Sequence, residues 1–206
     1  MNTMTWPQQL GLSITETIQK DFDYLIDEHI KWNKVFNLSA YRDRDSVLNY
    51  QLIDSLSVHS FINQSNLLDI GSGPGFPGLP LAILFPHLQV TLLDSNAKKL
   101  SFARHIKDQL QLLNITIEHV RIEKFQPVAT FEQVITRAFT NLNDIIDVAL
   151  PVLSCDGVIL AMKGARVGDE LVEAKLRYQN CKISIHQLPH IVNEQRNLAV
   201  VQRIMR

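Results

Sequence analysis

Residues 69 to 75 carry the clearest chemical signal in this chain. The stretch reads Asp69-Ile70-Gly71-Ser72-Gly73-Pro74-Gly75 and directly follows a short apolar run. Three alternate glycines let the backbone turn sharply and approach a ligand closely, which a Cβ atom would prevent. The acidic residue two positions before the first glycine suits a cofactor that carries an ammonium and a sulfonium group. We therefore predict a loop that binds S-adenosylmethionine through Asp69, Gly71, Gly73 and Gly75.

The same glycines allow a second interpretation. The run Gly73-Pro74-Gly75-Phe76-Pro77-Gly78 matches the GxGxxG pattern of NAD- and FAD-binding proteins. In those proteins, N–H groups at a helix N-terminus approach a pyrophosphate. Pro74 and Pro77 remove two such donors, and this loss costs S-adenosylmethionine little because that cofactor has no phosphate. A methyltransferase is therefore favoured, while a dinucleotide-binding oxidoreductase and a purely structural glycine turn remain alternatives.

Two later stretches extend the predicted cofactor site. The second predicted strand ends at Asp94, whose two carboxylate oxygens can accept both ribose hydroxyls of an adenosine. Ser95, a further predicted cofactor-binding residue, follows it, and Ser95 and Asn96 together are the candidates for a helix N-cap. After the third predicted strand, Ile122 can flank the adenine, and Glu123 or a neighbouring backbone group can meet the adenine amino group.

The predicted site residues fall at strand ends within a regular alternation of elements. Predicted strands cover 66–70, 89–94, 115–120, 133–136 and 157–162, with helices at 78–85, 97–113 and 142–153. This alternation indicates a parallel sheet covered by helices on both faces. Two further β-like runs, 182–188 and 198–204, have no helix between them and predict an antiparallel hairpin at the sheet edge. The pattern is α/β: a Rossmann-like class I methyltransferase with a seven-stranded, mainly parallel sheet.

The residues before the sheet have a helical pattern. Ser13 and Glu16 have the spacing of a capping box, and apolar residues then recur at three- and four-residue steps as far as Ile30. A second helix is predicted to start after Asp43 or Asp45. We expect residues 1–62 to form an N-terminal helical cap, packed on a methyltransferase domain of residues 63–206.

Composition limits the protein class. The 206 residues are 46% hydrophobic and 20% charged, which fits a globular chain with a real core. A net charge of −1 argues against a strongly basic nucleic-acid binder. Residues 1–12 lack the features of a signal peptide, and no apolar run is long enough to span a bilayer. Cys155 and Cys181 lack metal-ligand spacing, so we predict no metal, reduced cysteines, a buried Cys155 and a cytoplasmic protein.

The stretch Ile135–Phe139, at the end of the fourth predicted strand, bears on the methyl acceptor. It lacks the Asp/Asn-Pro-Pro-aromatic run of enzymes that methylate exocyclic amines, and it lacks a cysteine that could attack a pyrimidine carbon. Guanine N7 has a free lone pair and loses no proton on methylation. Transfer to it can rely on proximity and orientation, so we assign no catalytic base. A small-molecule acceptor fits this pattern as well.

From about Trp32 to the C-terminus, the chain resembles the bacterial small-subunit rRNA methyltransferase G family, formerly called glucose-inhibited division protein B. The motifs that carry the resemblance are Trp32-Asn33-Lys34 with Asn37-Leu38, Asp54-Ser55, the loop 69–78, Leu92-Leu93-Asp94-Ser95, Arg137-Ala138-Phe139, Lys163-Gly164 and Arg196. The resemblance implies methylation by S-adenosylmethionine at N7 of one guanine, at position 527 in the 530 loop of 16S rRNA. Family cofactor positions fall on Gly71, Phe76, Ile122, Glu123 and Arg137.

Three positions depart from the pattern of the resembled family. Gln51 stands where the family has a histidine, Asn197 stands where a histidine often follows Arg196, and Thr136 replaces a serine before Arg137. These departures bear on the RNA side of the site more than on the cofactor side.

Three cations are predicted to contact the RNA substrate. Lys163 ends the fifth predicted strand, and Arg196 lies in the loop of the hairpin. Arg42 is a further candidate, although its alternation with acidic residues also fits the start of a helix. The sequence allows two roles for Arg137: it holds the cofactor carboxylate, or it positions the RNA backbone. The predicted partner is 16S rRNA or the small ribosomal subunit, bound by a monomer without membrane or metal; a ribosome-assembly module with a degenerate site is the non-enzymatic alternative.

Overall fold

The computed structural model describes residues 5–137, 139–165, 167–189 and 195–204. Its strands are β1 (Asn66–Ile70), β2 (Gln89–Asp94), β3 (Ile115–His119), β4 (Phe131–Arg137), β5 (Leu153–Lys163), β6 (Cys181–Gln187) and β7 (Asn197–Arg203). They form one seven-stranded sheet in the order β3-β2-β1-β4-β5-β7-β6. Strands β1 to β5 pair in parallel, and β7 runs antiparallel between β5 and β6. The predicted fold class and C-terminal hairpin are confirmed; residues 190–194 of the hairpin loop lie outside the described residues.

Helices cover both faces of the sheet and continue into the N-terminal part. The α-helices are α1 (Trp6–Gln9), α2 (Glu16–Phe36), α3 (Arg44–Val47), α4 (Asp54–Leu56), α5 (Gly78–Leu84), α6 (Ala97–Gln109), α7 (Leu142–Ala149) and α8 (Val167–Arg177). Short 3₁₀ helices cover His59–Phe61 and Ile122–Lys124, and a π-helical segment covers Leu48–Ile53. None of the helices in the described ranges is long and apolar enough to cross a membrane.

The N-terminal helices begin at different residues from some of those predicted. Thr15, and not Ser13, is the N-cap of α2: its Oγ1 accepts a hydrogen bond from the Ile18 N–H at 3.2 Å. The predicted capping box was wrong because a second hydroxyl residue lies closer to the first helical turn. Asp43 is the N-cap of α3, so this helix starts after Asp43, the first of the two predicted starts. Helix α8 was not predicted, since its exposed Val172 and Leu176 obscure the apolar face.

One apolar cluster joins the N-terminal helices to the sheet. Phe22 and Leu25 of α2 lie fully buried in the same core as Phe102 of α6 and Leu92 of β2. Trp32 is half-buried at the edge of this cluster, with its ring centroid 5.7 Å from that of Phe102. The shared core fixes α2 against α5 and α6, so the N-terminal part holds a set position relative to the strand ends.

The two cysteines differ in exposure, and the expected burial of Cys155 was wrong. Both thiols are free; Cys155 is exposed and Cys181 is buried. The pairing of β4 with β5 passes from Phe131–Leu153 to Gln133–Val158. The intervening residues of β5 therefore bulge out of the ladder, which turns Cys155 towards solvent.

Candidate functional site

The glycine loop between β1 and α5 is held in a conformation that requires glycine. Gly71 and Gly75 have positive φ angles of 70° and 101°. A Cβ atom at Gly75 would lie 2.4 Å from Leu79 Cδ1, and one at Gly71 would lie 2.8 Å from Phe139 Cδ2. Both the backbone angles and the close packing therefore exclude larger residues, and the loop backbone stays open towards the carboxyl ends of the strands.

Asp69 lies beneath this loop, in the interior of the protein. Its side chain is fully buried, and Oδ2 accepts a hydrogen bond from the Gly78 N–H at 2.8 Å. Oδ1 has no hydrogen-bond partner within the described part of the chain. Burial raises the pKa of Asp69 to about 7, against the opposing effects of the Gly78 N–H and the Arg137 guanidinium. The geometry supports bracing of the loop by Asp69, while direct contact with a cofactor stays a prediction.

A first cavity of about 290 Å³, the cofactor cavity, opens at the carboxyl ends of β1, β2 and β3. It brings together predicted residues from three separate stretches: Gly71, Asp94, Ser95, Ile122 and Glu123. The other residues that line it had no predicted role in the site, although Leu93 and Phe139 belong to the motifs of the resemblance: Ile70, Leu93, Val120, Arg121 and Phe139. The cavity thus has two carboxylate acceptors, Asp94 and Glu123, beside several apolar side chains, the combination that an adenosine needs.

Asp94 connects the glycine loop to α6. Its Oδ2 accepts from the Gly73 N–H at 2.8 Å, and its Oδ1 accepts from the Asn96 N–H at 2.7 Å. Asn96 is the N-cap of α6, as predicted, and its side chain accepts from the N–H groups of Lys98 and Lys99. Because a carboxylate has about four acceptor positions, Asp94 keeps capacity for ribose hydroxyls while both oxygens are already held in place.

Phe76 and Arg137 link the cofactor loop to the rest of the site. Phe76 is buried and packs edge-on against His29 of α2, with ring centroids 5.6 Å apart. The Arg137 guanidinium carbon lies 5.8 Å from the centroid of the Phe76 ring. His29 is fully buried without a hydrogen-bond partner in the described ranges, and burial with the nearby Arg137 charge lowers its pKa to about 4. His29 is therefore a neutral packing residue at ordinary pH.

A second cavity of about 270 Å³, the acceptor cavity, lies beside the first, where the N-terminal helices meet the ends of β4, β5 and β7. It is lined by Tyr41, Tyr50, Gln51, Asp54, Arg137, Met162, Lys163, Gly164, Leu188, Arg196 and Asn197. Three predicted residues, Arg137, Lys163 and Arg196, meet here. Arg137 lines this cavity and is not among the residues that line the cofactor cavity.

Asp54 organises the cations of the acceptor cavity. Its Oδ2 accepts from Arg137 Nη1 at 3.1 Å, and its Oδ1 accepts from Arg196 Nε at 2.9 Å. Arg137 also donates to the Tyr50 carbonyl and to Gln51 Oε1. The Asp54 side chain is only 10% exposed, so these charge-assisted bonds are shielded from water. Two of the three positions that depart from the family pattern, Gln51 and Asn197, line this cavity.

The predicted RNA contacts already have partners within the protein. Lys163 Nζ forms an ion pair with Glu170 at 2.7 Å and donates to the Thr140 carbonyl. Arg42 lies outside both cavities and donates to the Asn33 carbonyl and to Asn37 Oδ1, at the end of α2. Arg42 therefore caps that helix, which fits the charge pattern at a helix boundary better than a place in the site.

Sequence reasoning missed a group of cations on α6. Lys98, Lys99, Arg104 and Lys107 form no ion pair with any described residue. Lys99 lies beside the glycine loop, with its Cδ 3.8 Å from the position of a Cβ built on Gly73. The lysine pair after the Asn96 N-cap was the available signal in the sequence.

Comparison with known proteins gives a matching family model and similar sequences that carry the same description. The family model GidB, rRNA small subunit methyltransferase G, matches residues 18–199. A ribosomal RNA small subunit methyltransferase G from Pseudomonas putida is 46% identical over 171 residues, which cover 82% of this chain and 79% of the relative. The protein of that name from Ectopseudomonas mendocina is 39% identical over 198 residues, covering 95% of this chain and 92% of the relative.

Solved structures with low sequence identity share the fold. The glycopeptide N-methyltransferase MtfA matches with a TM-score of 0.62 and 11% identity, covering 77% of this chain and 98% of its own. A ribosomal protein L11 methylase from Lactobacillus delbrueckii matches with a TM-score of 0.59 and 14% identity, covering 75% and 79%. At these identities the matches show the methyltransferase fold alone. Within the described residues, no group of three or more His, Cys, Asp or Glu side chains could hold a metal ion.

Proposed function

This chain belongs to the rRNA small subunit methyltransferase G family, and we infer from that membership that it transfers a methyl group from S-adenosylmethionine to N7 of a guanine in 16S rRNA. The observation that carries this conclusion is the match over residues 18–199, which includes every residue of both cavities. The membership favours a methyltransferase over the dinucleotide-binding and non-enzymatic alternatives.

The cofactor cavity is the proposed place for S-adenosylmethionine. Asp94 has unused acceptor positions for ribose hydroxyls, while Ile122 and Phe139 offer apolar surface for the adenine ring. Gly71 lines this cavity and has no room for a side chain, because a Cβ there would strike Phe139. When bound, the cofactor supplies a methyl group activated by the sulfonium. The residues present fit this group, and roles for Ser95 and Glu123 in holding it are part of the proposal.

The acceptor cavity is the proposed place for the target guanine. N7 attacks with its own lone pair and loses no proton, so the residues of the chain need only orient the base and exclude water. Arg137 lines the acceptor cavity, where Asp54 holds it, and it packs over Phe76, which follows the glycine loop. We assign it to orienting the reactants, with either the cofactor carboxylate or the RNA backbone as its contact.

Binding of RNA by a nearly neutral chain calls for local positive surfaces. Lys163 and Arg196 reach the acceptor cavity, where Glu170 and Asp54 hold them in place for a phosphate or base contact. Lys99 lies beside the glycine loop, Lys98 precedes it on α6, and neither forms an ion pair with a described residue, so both add charge at the start of α6. Contacts with the phosphates position the RNA, while shape and base contacts select the nucleotide.

The N-terminal part serves as a cap that completes the substrate site. Tyr50, Gln51 and Asp54 belong to residues 1–62, yet they form one wall of the acceptor cavity opposite Met162 and Asn197 of the sheet. We propose that residues 63–206 form the methyltransferase domain and that the protein acts as a monomer in the cytoplasm, where its ribosomal substrate is found.

Two experiments, calorimetry and then a methyl-transfer assay, test this function. Titration with S-adenosylmethionine should give one site per chain, and titration with NAD should give no binding. Labelled methyl should then pass to 16S rRNA, either as naked RNA or within small subunits that lack the modification. Binding of NAD without a response to S-adenosylmethionine would overturn the assignment.

A further inference from the structure

Two amide side chains in the wall of the acceptor cavity have fixed orientations. Gln51 is 5% exposed, and its Oε1 accepts a hydrogen bond from Arg137 Nη2. A guanidinium can only donate, so the amide oxygen must face Arg137 and the amide nitrogen must face away from it. Gln51 Nε2 has no partner among the described residues. The cavity wall therefore presents one unused N–H₂ donor at this position.

Asn197 presents the opposite group. It is 4% exposed, and its Nδ2 donates to the Gly164 carbonyl at 3.0 Å. A carbonyl can only accept, so the nitrogen must face Gly164 and the oxygen must face away. Asn197 Oδ1 has no partner in the part of the chain that the structure describes. An unused acceptor thus accompanies the unused donor of Gln51 in the wall of one cavity.

The network around Asp54 keeps both amides in place. Asp54 holds Arg137, which orients Gln51, and it also holds Arg196, which directly precedes Asn197 in the chain. Tyr50 is anchored by the bond from Arg137 to its carbonyl and stacks on Tyr41, with ring centroids 4.9 Å apart. These contacts give a partly aromatic cavity with two preoriented polar groups, the arrangement that binding sites for flipped-out bases use.

We propose that Gln51 and Asn197 form the guanine-recognition pair of this enzyme, an inference that rests on the proposed function. Gln51 Nε2 donates to guanine O6, and Asn197 Oδ1 accepts from both the guanine N1–H and the 2-amino group, because an amide oxygen has two lone pairs. When N7 faces the cofactor cavity, O6 and then N1 follow around the ring and point to the remaining wall. One free donor and one free acceptor match this edge of guanine.

The same pair rejects adenine. At the corresponding positions adenine presents an amino group in place of O6 and an unprotonated N1. Gln51 would then place a donor against a donor, and Asn197 would place an acceptor against an acceptor. Buried polar groups that are left unpaired in this way give strong discrimination, because neither can turn to water inside the cavity.

The test on the protein is the exchange Gln51→Glu. This variant keeps an oxygen for Arg137 and the same shape; it replaces the free donor by a second oxygen and adds one negative charge, which the exposed control variant adds as well. We expect kcat/KM for methylation of 16S rRNA to fall about tenfold to a hundredfold, while the Kd for S-adenosylmethionine stays within about twofold. The matched control Gln89→Glu, at the exposed start of β2, should leave both values unchanged.

The test on the substrate replaces the target guanine by inosine, which lacks the 2-amino group, in small subunits assembled with ligated 16S rRNA. The wild-type enzyme should methylate the inosine substrate about tenfold less efficiently than the guanine substrate. Asn197→Ala should be slower on guanine and should distinguish the two substrates by less than about twofold, since the partner of the amino group is gone. Binding of S-adenosylmethionine checks that this variant is folded.

The outcomes separate this inference from the proposed function. If wild-type protein methylates no guanine in 16S rRNA, the proposed function fails and the recognition pair fails with it. If wild-type protein is active and Gln51→Glu keeps its kcat/KM, the recognition pair alone is refuted. Full discrimination against inosine by a folded Asn197→Ala variant refutes it equally.

Discussion

Replacement of Asp69 by asparagine should change how the stability of the protein depends on pH. The Asp69 carboxyl is fully buried beneath the glycine loop, where Oδ2 alone has a partner among the described residues, the Gly78 N–H at 2.8 Å. Burial raises the pKa of this carboxyl from 3.8 to about 7. Asparagine keeps an oxygen for the Gly78 N–H and has no charge at any pH, so it isolates the effect of ionisation.

The sign follows from comparing the folded and unfolded chains. Because the pKa is higher in the folded protein, the folded state binds the proton more tightly, and this contribution to stability is complete only below pH 3.8. It is lost as pH rises and is gone above about pH 7. A gap of about three pH units, at about 1.4 kcal/mol per unit, corresponds to about 4 kcal/mol. Of this, about 3 kcal/mol is lost between about pH 5 and pH 8.

Urea unfolding followed by circular dichroism at several pH values measures this effect. The free energy of unfolding of the wild type, relative to that of Asp69→Asn, should fall by about 3 kcal/mol between about pH 5 and pH 8. All other titrating groups are common to both proteins, so the difference between them reports on Asp69. The exposed control Asp108→Asn should run parallel to the wild type. Parallel curves for the wild type and Asp69→Asn would refute the reasoning.

Three further predictions concern the two cavities and the α6 surface. Asp94→Ala removes the ribose acceptor, so calorimetry should detect no binding of S-adenosylmethionine; unchanged affinity would contradict the role of this carboxylate. Arg196→Ala should spare cofactor binding and lower methyl transfer to RNA about tenfold or more, since it removes a charge-assisted bond to Asp54; loss of both activities would instead point to misfolding or a cofactor role. The double variant Lys98→Gln, Lys99→Gln should weaken RNA binding and reduce the slope of log affinity against log salt by about 1.4. An unchanged slope would show that α6 does not contact phosphates.

Much of the fold could be predicted because local signals agreed with the final packing. The bounds of β1 and β2 match the predicted ones. The apolar run of β1 ends before Gly71 and that of β2 ends at Asp94, and both of these residues have a clear signal in the sequence. The start of α2 was misplaced because Ser13 and Thr15 both offer a capping hydroxyl, and only the packing of the helix decides between them. The bulge that exposes Cys155 depends on the pairing of β5 with β4, which has no signature in the sequence.

The candidate site was harder to predict on the acceptor side than on the cofactor side. The predicted cofactor residues Gly71, Asp94 and Ile122 follow consecutive strands, so the order of elements alone brings them together. Asp54, by contrast, meets Arg137 and Arg196 across 83 and 142 residues of chain. Such pairs arise from the docking of the N-terminal helices, and no spacing rule reveals them.

Mapping of the methylated nucleotide is the most direct test of the proposed activity. Small subunits that lack the modification would be incubated with the protein and labelled S-adenosylmethionine, and the 16S rRNA would be digested and analysed by mass spectrometry. We predict a single 7-methylguanosine, in the decoding-region loop. Tight binding of the cofactor without transfer to naked 16S rRNA or to small subunits, or transfer to a different atom, would contradict the assignment.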